Sequence, residues 1–184
     1  HQLSNSKNPV TLCYIGPDTT ENICSMLRSI NEDTLAKEKL NGIHIYSFKE
    51  WDEKILDNFG ALESNIQESG LKPKFERLSK ISNVEPITEE VIVVATYVTP
   101  WATEAENKQT YANLLSSLLC NKNSKLVTVD PKSGDFIARS WLNSEMISLE
   151  EFYETELNLS PDIVRDLKYE TTIATIWSQT GGSN

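Results

Sequence analysis

Histidine is almost missing from this sequence: among 184 residues there are only His1 and His44. Neither a Ser–His–acid nor a Cys–His set can be assembled convincingly around one internal histidine, which disfavours hydrolase chemistry. His44 lies in the middle of the apolar run GIHIYSF, where a satisfied core histidine is the expected role. Cysteine is scarce as well. Cys13, Cys24 and Cys120 are odd in number and offer no CxxC spacing. That disfavours a disulfide framework and a structural zinc site, and leads us to expect reduced, buried thiols in an intracellular protein. There is no GxxxxGK[ST] loop, so a P-loop nucleotidase is not expected. No apolar run approaches the roughly 20 residues of a membrane-spanning helix. The opening HQLSNSKNPV has neither the basic nor the apolar region of a signal peptide. The chain does not begin with Met and is read as one domain, residues 1–184, with room for an upstream segment.

Positive charge is also in short supply, with 17 Lys and Arg against 27 Asp and Glu, a net charge of −10. Such a surface repels phosphate backbones, so contact with nucleic acid would need a local basic patch. One short candidate exists. LKPKFERLSK, residues 71–80, carries Lys72, Lys74, Arg77 and Lys80, although a run of this kind also serves as a plain solvated face.

What is present is an alternation of strand-like and helix-like periodicity. VTLCYIG (10–16), GIHIYSF (42–48) after an Asn41–Gly42 break, EEVIVVATYVT (89–99) and SKLVTVD (124–130) read as strands; KFERLSKIS (74–82) is ambiguous, a short strand at most. The apolar run within 89–99 predicts burial on both faces of a sheet. Helical spacing marks ENICSMLRSINE, then 51–70 with Trp51, Ile55, Phe59, Leu62 and Ile66 on one face. It also marks 106–120 with Tyr111, Leu114, Leu115 and Leu118 inward. SLEEFYETEL (148–157) reads as a helix, with Ser148 as N-cap and Glu151 completing a capping box. YETTIATIWSQT (169–180) reads as a late edge or antiparallel strand. The sum is an α/β, Rossmann-like fold: a mostly parallel twisted sheet, helices on both faces and a late antiparallel strand.

In such folds ligands bind at the carboxyl ends of the strands. The first of these turns, IGPDTTEN, has a single glycine, Gly16, which would admit a ligand to the backbone. Asp18 follows it, and an ordinary turn capped by Asp18 reads equally well. After the second strand, where nucleoside-cofactor enzymes place an acid, stands Ser47. The turn ATYVTPWATEAEN after the fourth strand is unusually aromatic, a composition that suits stacking of an extruded base or packing over the core edge. Asp130 ends the fifth strand and doubles as an ordinary Asp–Pro turn starter.

The order of elements resembles a class I S-adenosylmethionine-dependent methyltransferase. More narrowly it is similar to a fungal family that includes uridine-N3 methyltransferases of large-subunit ribosomal RNA. The resemblance is carried by LCYIGPDTT, YSFKEWDEKILDNF, VIVVATYVTPWATEAENKQTYANLLSSLL, SKLVTVDPKSGDF and LKYETTIATIW. It implies S-adenosylmethionine as cofactor and a ribosomal RNA base as methyl acceptor. It also implies Gly16 and Asp18 near the methionine end and Ser47 and Phe48 near ribose and adenine. Thr96 is a further cofactor contact, and Tyr97, Thr99 and Trp101 face the substrate as catalytic residues. A nuclear, nucleolar or cytoplasmic setting would follow. The pattern departs from the family at the first turn, where one glycine stands for several, and at Ser47 in place of the acid. These departures raise an alternative, an inactive domain of the same fold that binds a protein partner, to which an acidic surface is suited if that partner is basic.

Overall fold

The runs VTLCYI, EVIVVAT and KLVTVDP, rich in Val, Ile and Leu, build the centre of a seven-stranded sheet. The structure, a computed structural model, describes residues 6–16, 29–30, 32–47, 64, 73–77, 85–96, 98, 105–131, 149–157 and 172–179. Among these residues the strands are β1 (Val10–Ile15), β2 (Leu40–Ser47), β3 (Pro73–Arg77), β4 (Glu90–Thr96), β5 (Lys125–Pro131), β6 (Leu149–Leu157) and β7 (Thr172–Gln179). The helices are α1 (Thr34–Lys39) and α2 (Ala105–Leu118). The strands lie in the order β3-β2-β1-β4-β5-β7-β6. β3, β2, β1, β4 and β5 are parallel neighbours, whereas β7 runs antiparallel to both β5 and β6.

One core cluster sits between one sheet face and α2. Cys13 and Ile15 of β1, Val91, Val93 and Ala95 of β4, Leu126 of β5 and Trp177 of β7 pack with Tyr111, Leu114, Leu115 and Leu118 of α2. All four inward residues expected on that helix are buried. β1 is buried along its whole length, as a central parallel strand must be. In β4, Val91, Ile92, Val93 and Ala95 are buried and Val94 is half-buried, in line with the two-sided burial read from the sequence. At the amino-terminal edge of the sheet, Glu89 Oε2 accepts hydrogen bonds from Thr11 (3.1 Å) and Asn41 (3.3 Å). The buried Val91 amide donates to Ser124 Oγ at 2.9 Å, tying β4 to the turn that precedes β5.

Several expectations are corrected. Residues 149–157 form a strand, not a helix, because pairing with β7 along nearly the whole segment outweighs the local capping-box pattern. β7 is antiparallel as expected but is no edge; β6 covers it, and Trp177 is fully buried. The Asn41–Gly42 break lies inside β2. There the register slips from Val10–Leu40 to Thr11–Gly42, a bulge of the kind an isolated strand glycine marks. The ambiguous third segment is a strand over Pro73–Arg77. The sequence reading missed α1, which Asp33 caps by accepting the Ala36 amide at 3.0 Å. Of the cysteines, Cys13 is buried, but Cys120 is exposed just beyond α2, its thiol directed at the carbonyls of Ser116 and Ser117. Cys24 and most of the helical segments expected over 21–32 and 51–70 lie outside the described residues.

Candidate functional site

Strand order reverses on either side of β1. The chain builds β1, β2 and β3 outward in one direction, then returns to lay β4 on the other side of β1. In open α/β sheets such a reversal marks the crevice where ligands bind, which here would fall at the carboxyl ends of β1 and β4. Register decides which residues border it. Ile15 pairs with Tyr46 on one side and with Ala95 on the other. Gly16, Ser47 and Thr96 each come one residue later and form a row across the end of the sheet. At about 4.8 Å between strands, that row spans about 10 Å. Ser47 pairs in turn with Arg77 on β3, which extends the row outward.

Gly16 has φ 73°, in the left-handed region that glycine adopts without cost. Its amide donates to the Tyr46 carbonyl at 2.9 Å. Gly16 thus brings no side chain to the strand end, and its N–H is already engaged with the neighbouring strand. Between the neighbouring strands β1 and β4, the hydroxyls of Tyr14 and Thr96 are 2.9 Å apart. Tyr14 is buried, whereas Thr96 is half-buried at the strand end.

A second polar group lies under the end of β5. Asp130 and Thr128 are both buried there, and Trp177 Nε1 donates to Thr128 Oγ1 at 3.0 Å. Burial pushes the Tyr111 hydroxyl on α2 well above the ordinary tyrosine range, and the charge of Asp130 pushes it the same way. This group places polar atoms inside the core where α2 meets β5. On β2, His44 is half-buried, its Nδ1 3.4 Å from the Tyr46 hydroxyl, a long and weak contact.

Of the cofactor residues expected from sequence, Gly16, Ser47 and Thr96 come together in the row. Asp18 and Phe48 lie outside the described residues, as do the expected catalytic residues Tyr97, Thr99 and Trp101. Lys74 and Arg77 belong to β3, while Lys72 and Lys80 lie outside the described residues. Tyr14 was missed, because within an apolar run it reads as one more core residue. No group of three or more His, Cys, Asp or Glu is placed to hold a metal among the described residues, and no helix there is long and apolar enough to cross a membrane.

By sequence, neither a protein-family model nor a curated protein matches this chain. Solved structures do match. One is a SAM-dependent methyltransferase from Methanosarcina mazei, with TM-score 0.60 and 10% identity, covering 95% of this chain and 94% of that one. Another is an rRNA methylase from Streptococcus thermophilus, with TM-score 0.53 and 9% identity, covering 97% and 93%. A third is an arsenic(III) S-adenosylmethionine methyltransferase from Chlamydomonas reinhardtii, with TM-score 0.50 and 11% identity, covering 95% and 65%. The chain thus has the Rossmann-like fold of class I methyltransferases. At these identities the likeness establishes the fold alone. The narrower similarity to fungal uridine methyltransferases gains nothing from these matches.

Proposed function

We propose that this chain is a class I S-adenosylmethionine-dependent methyltransferase domain whose cofactor lies across the carboxyl ends of β1, β2 and β4. The observation that carries the proposal is the row of Gly16, Ser47 and Thr96 at the point where strand order reverses, in a sheet whose β7 alone is inverted. The residues fit the group in part: Gly16 supplies space at the methionine end, and Ser47 and Thr96 are hydroxyl-bearing residues beside it. Asp18 and Phe48 complete the proposed set. The cofactor, when bound, supplies an electrophilic methyl group. The task of the chain is then to hold the acceptor atom in line with it and to keep water out, which is catalysis by alignment.

For the acceptor we favour an RNA base, a ribosomal uridine in the first instance, with Tyr97, Thr99 and Trp101 facing it. The basic segment with Lys72, Lys74, Arg77 and Lys80 supports this acceptor class. With a net charge of −10 elsewhere unfavourable to RNA, that segment would carry most of the attraction. A second reading rests on the engaged Gly16 amide and on Ser47 in place of an acid: a domain that keeps the fold without the cofactor and binds a basic protein. The two readings separate on incubation with methyl-labelled S-adenosylmethionine and unmodified ribosomal RNA. Label in RNA that is lost on Trp101→Ala supports the enzyme. An absence of label in RNA, with no cofactor bound, favours the protein-binding domain.

A further inference from the structure

Tyr14 pairs with Val94, yet its hydroxyl meets Thr96, two residues further along β4. Two strand residues advance about 6.6 Å, so the phenol leans along the strand direction toward the carboxyl edge. Tyr14 is 4% exposed, which keeps its ring from touching a ligand broadly and leaves it to act through its hydroxyl. Thr96 is the residue through which it acts. A threonine at a strand end chooses among a few stiff χ1 wells, which exchange its methyl and hydroxyl groups. A partner at 2.9 Å selects the well that turns the hydroxyl, not the methyl, toward Tyr14 at the carboxyl end of β4. A hydroxyl has one donor and two acceptor sites, so the bond to Tyr14 leaves Thr96 capacity for a second polar partner. Beside it stands Gly16, which has no side chain to compete for that partner.

We propose that Tyr14 is a positioning residue: its buried phenol fixes the Thr96 hydroxyl at the crevice, where Thr96 receives the amino-acid end of S-adenosylmethionine. This rests on the reading under Proposed function. The bond orders Thr96 before the ligand arrives, so affinity is not spent on choosing a rotamer.

The test is calorimetric titration of the whole chain and its Tyr14→Phe, Thr96→Val and double variants. The ligands are S-adenosylmethionine and 5′-methylthioadenosine, which lacks the amino-acid end. Thermal unfolding of each variant checks the fold. Tyr14→Phe is expected to weaken S-adenosylmethionine by about three- to tenfold, the range of one net hydrogen bond. The double variant should be no weaker than Thr96→Val alone, since both changes break one chain of contacts. Thr96→Ser should keep the native affinity, and 5′-methylthioadenosine should bind all variants alike. Unchanged affinity in Tyr14→Phe, additive losses, or equal losses for both ligands would overturn the positioning role while leaving the cofactor reading intact. A native chain that binds neither ligand would overturn both.

Discussion

Gly16 is the residue on which the turn depends. At φ 73° a β-branched side chain is strained, and the Gly16 amide bond to Tyr46 keeps the backbone from relaxing freely. Gly16→Val is expected to cost about 1–3 kcal/mol in denaturant unfolding, whereas Gly16→Asn, which tolerates the left-handed region, should cost less. This glycine was legible in the sequence because it alone separates an apolar run from a polar one. Tyr14 was not, since a tyrosine inside a strand declares nothing about where its hydroxyl ends. Tyr111 was legible as a helical core residue, but its proximity to Asp130 depends on how α2 lies on β5. That proximity has a consequence in alkali. With its acidity suppressed in the fold, Tyr111 keeps its proton above pH 10 while the unfolded chain releases one. The native state then binds more protons, so stability falls as pH rises past about 10. Tyr111→Phe should remove up to about 1.4 kcal/mol per pH unit of that slope, read from urea midpoints between pH 9 and 11.

Among the elements, β1, β4, β5 and α2 followed directly from their apolar spacing. The β6 segment did not. Its Ser148–Glu151 spacing and run of glutamates match a helix start, and only the partner strand β7 overrides that preference. Such a pairing, between segments with no local mark of one another, is not written in either segment alone. β7 was recognised as antiparallel but not as interior, because the cover on its far side is that same misread strand. The joint between β4 and β5 is sharper. Ser124 is buried and its Oγ satisfies the Val91 amide, which has 0% exposure along with the rest of that residue. Ser124→Ala should leave that amide unpaired and lower stability by about 1–3 kcal/mol, measured by chemical denaturation. A loss near zero would mean that the strand ladder and side-chain packing hold the β4–β5 joint without this bond.

At the scale of the whole molecule, strand order and register do what composition cannot. They bring Gly16, Ser47 and Thr96, from three separate segments, to one edge of the sheet beside a reversal of strand order. The alternation of strands and helices made the fold class readable from sequence, and the position of the crevice followed from it. The acceptor was not readable. Proteins of this fold are named for acting on ribosomal RNA and on arsenic(III), so the sheet does not select the substrate. The net charge of −10 constrains the choice further, by requiring that any RNA contact be local. The most direct measurement is titration of S-adenosylmethionine into the native chain and Gly16→Val. The account predicts saturable binding with Kd on the order of 1–100 μM, lost in the folded Gly16→Val variant. Absence of heat from the native chain at high concentration, or binding that Gly16→Val leaves untouched, would contradict it.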